Sequence, residues 1–265
     1  MKSQRGYFGS HVVPLIAMHL LGLSLFANDE TQTAKSATQV TSDKSSQPGP
    51  QKKPRLTRML KDHDLWIHAE RKFVVVNGEI CLREGPLEMF ACTRGTKEHE
   101  SIVTVNCPAR FIHAALLAVE AQTGSPVQYD PKYKPASGTE INILILWKDK
   151  DGKTQRANAQ QWVQNSRSQK QIDFRWVFAG SSFWTDESTG EKYYQADGGD
   201  LICVSNFTTA MLDLPIESSQ DNGGLLFNAF TERIPPLKTK VKLILQPRPA
   251  TTKKKNAQKG SASSE

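Results

Sequence analysis

The 265 residues carry a formal charge of +7, but the excess sits at the ends: residues 1–60 hold eight Lys or Arg against three acids, residues 249–265 hold four against one, and residues 61–248 hold 22 bases against 23 acids. A neutral body with basic ends has no electrostatic footprint for a phosphate backbone, which excludes nucleic acid as a partner. Cys81, Cys92, Cys107 and Cys203 are too few to scaffold a domain of this size and lack the close spacing of a zinc ribbon or a CxxC motif.

Met1 to His11 carries Lys2 and Arg5, and Val12 to Ala27 is apolar, broken only by Pro14, His19, Gly22 and Ser24. That is the layout of a signal peptide. Sixteen residues make about 24 Å of helix, short of the roughly 30 Å hydrocarbon core, so cleavage near Ala27 is predicted over a retained anchor. The mature protein is then expected in the periplasm or outside the cell, with no stable membrane span. There the four thiols meet a disulfide-permissive compartment, where three pairings are possible; buried free thiols are the equal alternative.

Residues 28–60 are Ser, Thr, Gln, Lys and Pro with scarcely a large apolar side chain, and are expected to be a disordered linker. Apolar periodicity runs from Leu65 to Leu245, placing one globular domain at 61–247. Residues 248–265, with Lys253, Lys254, Lys255 and Lys259, read as a disordered basic tail.

Within the domain, Trp66–Ala69 reads as a strand, and Phe73–Val76, Asn77-Gly78 and Glu79–Leu82 as a hairpin, because Asn-Gly suits a type I′ turn. Glu88–Cys92 and Ile102–Val105 flank the charged loop Thr93–Glu100 and are expected to pair. Residues 108–122 form the principal helix, with Ile112, Leu116 and Val119 on one stripe, Asn106 and Pro108 at its start and Gly124 past its end. Ile141–Trp147 turns at Asp149–Gly152 into Thr154–Ala157, and Ala159–Val163 is a short helix. Asp173–Ala179, Phe183–Trp184, Tyr193–Gln195, Leu201–Ser205 and Val241–Leu245 complete a strand-rich second half. The expected fold class is α+β: a single β-rich, mainly antiparallel domain with one helix, flanked by disordered tails.

No GxSxG, Walker or dinucleotide motif occurs, so neither a catalytic residue nor a cofactor is assigned. His99-Glu100 could move a proton or ligate a metal, but Val103 stands where HExxH needs its second histidine. Asp149-Lys150-Asp151-Gly152 opens like a calcium loop, yet the twelfth position is Gln160, and a turn explains it. Asp197-Gly198-Gly199-Asp200 places acids where a phosphate loop needs bare amides and also reads as a turn. Asn206-Phe207-Thr208 is a formal glycosylation sequon at a strand end, taken as chance. Phe183, Trp184, Tyr193 and Tyr194 suggest a hairpin with cross-strand aromatic pairs, expected to pack in the core; only an open face would hold a sugar or a peptide.

Glu84-Gly85-Pro86-Leu87-Glu88-Met89-Phe90-Ala91-Cys92, then Lys97-Glu98-His99-Glu100-Ser101, His113-Ala114-Ala115-Leu116-Leu117-Ala118 and Asp200-Leu201-Ile202-Cys203-Val204 resemble the YdjY domain family in its longer, exported bacterial form, over roughly residues 65–247. The resemblance marks a family and carries no activity with it. Shorter relatives carry several cysteines in the segment matching Asp200–Met211, where this chain has only Cys203, so an iron–sulfur cluster is not implied. It does single out Cys92, His99, Glu100 and His113 as a candidate cluster. The expected function is a non-catalytic module binding an envelope partner or small ligand. The alternative is a metal-binding or redox protein using His99, Glu100 and the cysteines. Convergence of His99, Glu100, Cys92 and His113 would favour the alternative; His99 and Glu100 bracing their own loop, with no bound metal, is the expectation.

Overall fold

The computed structural model describes residues 55–218 and 226–249. The expected signal peptide, most of the linker and most of the basic tail lie outside the described residues. In chain order the strands are β1 (Thr57–Arg58), β2 (Leu65–His68), β3 (Phe73–Ile80), β4 (Met89–Thr93) and β5 (Ser101–Val105), followed by helix α1 (Ala109–Ala118). Then come β6 (Glu140–Lys148), β7 (Thr154–Asn158), β8 (Val163–Asn165), β9 (Trp176–Phe178), β10 (Phe183–Thr185) and β11 (Lys192–Tyr194). The last are β12 (Ile202–Cys203), β13 (Leu212–Asp213), β14 (Phe227–Ala229) and β15 (Lys240–Pro247). β1 reaches into the end of the expected linker and pairs with β2.

Eight strands close on themselves in the order β3-β15-β6-β9-β13-β12-β4-β5 and back to β3. The α+β expectation is therefore corrected to a closed β-barrel with a mixed sheet and one helix. Antiparallel pairing prevails, but β4–β5 and β12–β13 are parallel. Alternation along β6 and β15 buries Ile141, Ile143 and Ile145 against Leu243 and Leu245, whose registers are Leu243↔Ile145 and Leu245↔Ile143. Burying each such side chain contributes about 1.5–3 kcal/mol. Phe90 packs its ring 5.6 Å from Trp176 and 6.3 Å from Trp162, and the Trp176 indole donates to the Cys203 carbonyl at 2.6 Å.

The Asn77-Gly78 hairpin is not formed, because β3 runs straight through it. β3 pairs with β2 over Phe73–Val76 and with β5 over Gly78–Ile80, while β15 occupies its other edge. Gly78 is where the neighbour changes and the ring closes. A Cβ there would lie 2.7 Å from Val103 Cγ1 and 3.0 Å from the Thr104 carbonyl, so the missing side chain is what admits β5. Asn77 is held instead by Asp64, to which its backbone N–H and its Nδ2 both donate.

The helix is shorter than the expected 108–122. Glu120 takes a left-handed φ of 67°, the Glu120 N–H donates to the Leu117 carbonyl and the Ala121 N–H to the Leu116 carbonyl, a Schellman ending that stops the helix before Gly124. Its first turn has no local side-chain cap. Asp197 supplies one from a distance, accepting from the Arg110 N–H at 3.0 Å and pairing with its guanidinium, an anion at the positive end of the helix dipole.

Candidate functional site

The loop between β4 and β5 organises the residues singled out by the sequence. The two strands were expected to pair, and as a hairpin they would gather Cys92, His99 and Glu100 at one end. They are parallel instead, with Met89 opposite Ser101 and Cys92 opposite Thr104. The loop therefore runs back along the barrel, and Glu88 rather than Cys92 lies beside Glu100. The Glu88 N–H donates to the Glu100 carbonyl.

At this end Lys97 sits 2.9 Å from Asp200 Oδ1 and 3.8 Å from Glu100 Oε1, with its ammonium 4.6 Å from the centre of the Phe207 ring. Thr209 donates to the other Asp200 oxygen. Gly199 has φ 120°, and a Cβ on it would press to 2.7 Å of Thr96 Oγ1, so the glycine lets the loop lie on the 195–200 turn. Burial, and then the hydrogen bond and charge of Glu100, push the Glu88 carboxyl up to about 7. Burial alone would lower the Lys97 ammonium, but Asp200 and Glu100 outweigh it and raise it. The Glu88 carboxyl can thus hold a proton near neutral pH beside Glu100.

His99 reaches Glu100 Oε2 only at 3.8 Å, and its side chain is 77% exposed. Cys92 is buried beneath the loop, where it interacts with Ser101 and with the Cys81 thiol; the hydrogen bond from Cys81 draws it below the ordinary thiol value and raises Cys81. The Cys81 Sγ also lies 3.0 Å from the Ser101 carbonyl oxygen, which competes with Cys92 for its one proton. All four cysteines are free thiols. His113 does not join the other three. Its Nδ1 lies 2.8 Å from the Tyr194 hydroxyl and its ring stands edge-on to Phe178 and Tyr194; burial lowers its pKa against a hydrogen bond with the Gly180 backbone. Among the described residues no group of three or more His, Cys, Asp or Glu side chains is placed to hold a metal ion.

The loop's first residue, Arg94, faces a different site. Where β6 ends and β15 begins, a groove of about 640 Å³ opens at the barrel end, lined by Arg94, Lys148, Lys240 and Lys242, with Leu146, Trp147 and Val241 supplying apolar wall. Lys240 and Lys242 alternate with buried Val241 and Leu243, and Lys148 follows the same outward side of its strand, so the groove lies on the outer rim of the barrel mouth, and its volume is within the usual range for a ligand site. The acids nearby are already engaged: Asp64 with Arg58 at 3.0 Å and with Asn77, Glu79 with Lys240 and, at 3.9 Å, with Arg94. Lys148 donates to the Thr154 hydroxyl and its charge acts on the neighbouring Asp149; among the described residues neither it nor Lys242 forms a salt bridge. Asn77 Oδ1, at the groove wall, is buried without a hydrogen-bond donor. These four cations come from three separate segments, and no local motif in the sequence marks them.

The family model of the YdjY domain matches residues 65–246. The chain belongs to the YdjY domain family. No curated protein and no solved structure matches it. In this YdjY domain the groove and the Lys97 cluster lie on a barrel whose wall and closing strands fall within the matched residues. Two other motifs resolve as structure. Asp149 Oδ1 accepts from the Asp151 and Lys153 amides, making a turn. Asn206 is fully buried, donating to Asp213 and to the Leu214 carbonyl and accepting from Ser218 and Tyr133, which closes the sequon to glycosylation in the folded state. No helix among the described residues is long and apolar enough to cross a membrane.

Proposed function

We propose that this protein is an exported, non-catalytic binding module that takes a small organic polyanion at the barrel mouth. The observation that carries the reading is the groove lined by Arg94, Lys148, Lys240 and Lys242 beside the apolar surface of Trp147 and Leu146, where Lys148 and Lys242 form no salt bridge among the described residues. Fixed positive charge with an apolar wall suits a ligand bearing two or more carboxylates or phosphates on a carbon skeleton. The layout of residues 1–27 supports export, with periplasmic or extracellular residence of the cleaved chain. The metal or redox alternative has less support, since His113 stands apart and His99 faces solvent.

Isothermal titration with citrate and with pyrophosphate, against neutral maltose, tests the ligand class. Binding of either anion that weakens as salt rises from 0.05 to 0.5 M supports it; maltose binding equal to citrate, or no binding of either anion, refutes it. Mass spectrometry of the exported product is expected to give an N-terminus at Asn28, and a retained Met1 in washed membranes would refute cleavage.

A further inference from the structure

The aromatic hairpin was expected to pack in the core, and it does not. β10 and β11 form their own two-stranded sheet outside the barrel, with Phe183 opposite Tyr194 and Trp184 opposite Tyr193. Tyr194 is buried, but Trp184 is 51% exposed, Tyr193 46% and Phe183 65%. Trp184 and Tyr193 are cross-strand neighbours on one face, with ring centroids 5.7 Å apart and planes inclined by 30°, so they form one aromatic shelf rather than two isolated rings.

The shelf is held before any ligand arrives. The Tyr193 hydroxyl donates to Glu191, and Asp186 caps the turn, accepting from the Ser188 amide and hydroxyl. At its base the Ser182 hydroxyl donates to Gln195, and Tyr194 is tied to the Gly180 carbonyl and to His113. Such preorganisation removes part of the entropy loss of binding. The hairpin residues 183–194 carry Asp186, Glu187 and Glu191 against Lys192 alone, so the shelf is edged by acid.

We infer that the Trp184–Tyr193 shelf binds a glycan bearing free amino groups. A saccharide ring is flat, with C–H groups on its faces and hydroxyls at its rim. It can lie across two adjacent aromatic rings while its rim meets carboxylates, and a protonated amine adds cation–π attraction and charge complementarity with the acidic edge. The same negative charge repels anionic lipid and acidic polymers. An extended basic peptide offers the charge without a flat ring to cover both aromatics.

The test uses tryptophan fluorescence titration of the full chain at pH 6 with three probes: a glucosamine hexasaccharide, an N-acetylglucosamine hexasaccharide and hexalysine. The glucosamine chain is expected to bind at least tenfold tighter than the other two. Trp184→Ala, at an exposed position, is expected to weaken it at least tenfold with an unchanged thermal midpoint, and Glu187→Gln with Glu191→Gln to weaken it without abolishing it. A Lys148→Glu, Lys242→Glu variant is expected to bind it unchanged, which separates this surface from the barrel mouth. No binding of the glucosamine chain, equal binding of the acetylated chain, tighter binding of hexalysine, or full affinity in Trp184→Ala would each overturn the inference.

Discussion

One loop, residues 94–100, touches two charge clusters that differ in kind. At its far end Lys97, Glu88, Glu100 and Asp200 compensate one another within a buried patch. At its near end Arg94 joins Lys148 and Lys242, and the last two form no salt bridge among the described residues. Charges that satisfy each other hold the structure together, whereas charges left facing open space are available to a ligand. On the proposed reading, the sequence-marked residues around Glu100 serve mainly folding and the unmarked cations of the barrel mouth serve binding.

The largest effect is expected where the barrel closes, since both clusters depend on it. Gly78→Ala forces a methyl group toward Val103 and the Thr104 carbonyl, and should destabilise by about 2–3 kcal/mol in chemical denaturation. A loss below 0.5 kcal/mol would mean that β5 has room to spare. Asp200→Ala strips the closest partner from the half-buried Lys97, and a loss of about 2 kcal/mol is expected, with anion binding at the mouth unchanged. Equal damage to binding would merge the two clusters into one site.

The carboxyl pair gives a pH signature. Glu88 is raised to about 7 in the folded chain from 4.5, so its contribution is fully present below about pH 4.5 and is lost as pH rises through 7. Glu88→Gln should flatten that part of the stability profile and gain about 1–2 kcal/mol at pH 8 relative to the parent. A parent profile that rises between pH 5 and 8 would contradict the raised Glu88 carboxyl. The smallest effect belongs to His99→Ala: an exposed ring 3.8 Å from its acid should change stability by less than about 0.5 kcal/mol, less than loop bracing by His99 would require.

Much of the wall was legible in the sequence. Alternation in Ile141–Trp147 and Val241–Leu245 marks β6 and β15, and the Ile112, Leu116 and Val119 stripe marks α1. Closure was not legible, because Gly78 serves a close approach between strands distant in sequence while Asn-Gly imitates a turn. β8, β13 and β14, of two or three residues, are too short to carry a period. The site divides the same way. Lys97 and Glu100 are visible as neighbours, but Glu88 and Asp200 reach them only through the parallel pairing of β4 with β5 and the 195–200 turn. The aromatic hairpin was visible as a hairpin, and its exposure was not, since alternation is the same on a buried and an open sheet.

The most direct measurement is an amide and indole NMR titration of the full chain with citrate. The account predicts shifts that saturate together at Gly78, Arg94, Lys242 and the Trp147 indole, and that vanish in the Lys148→Glu, Lys242→Glu variant. Shifts centred on Lys97, Glu100 and Asp200, or none at the barrel mouth, would contradict it.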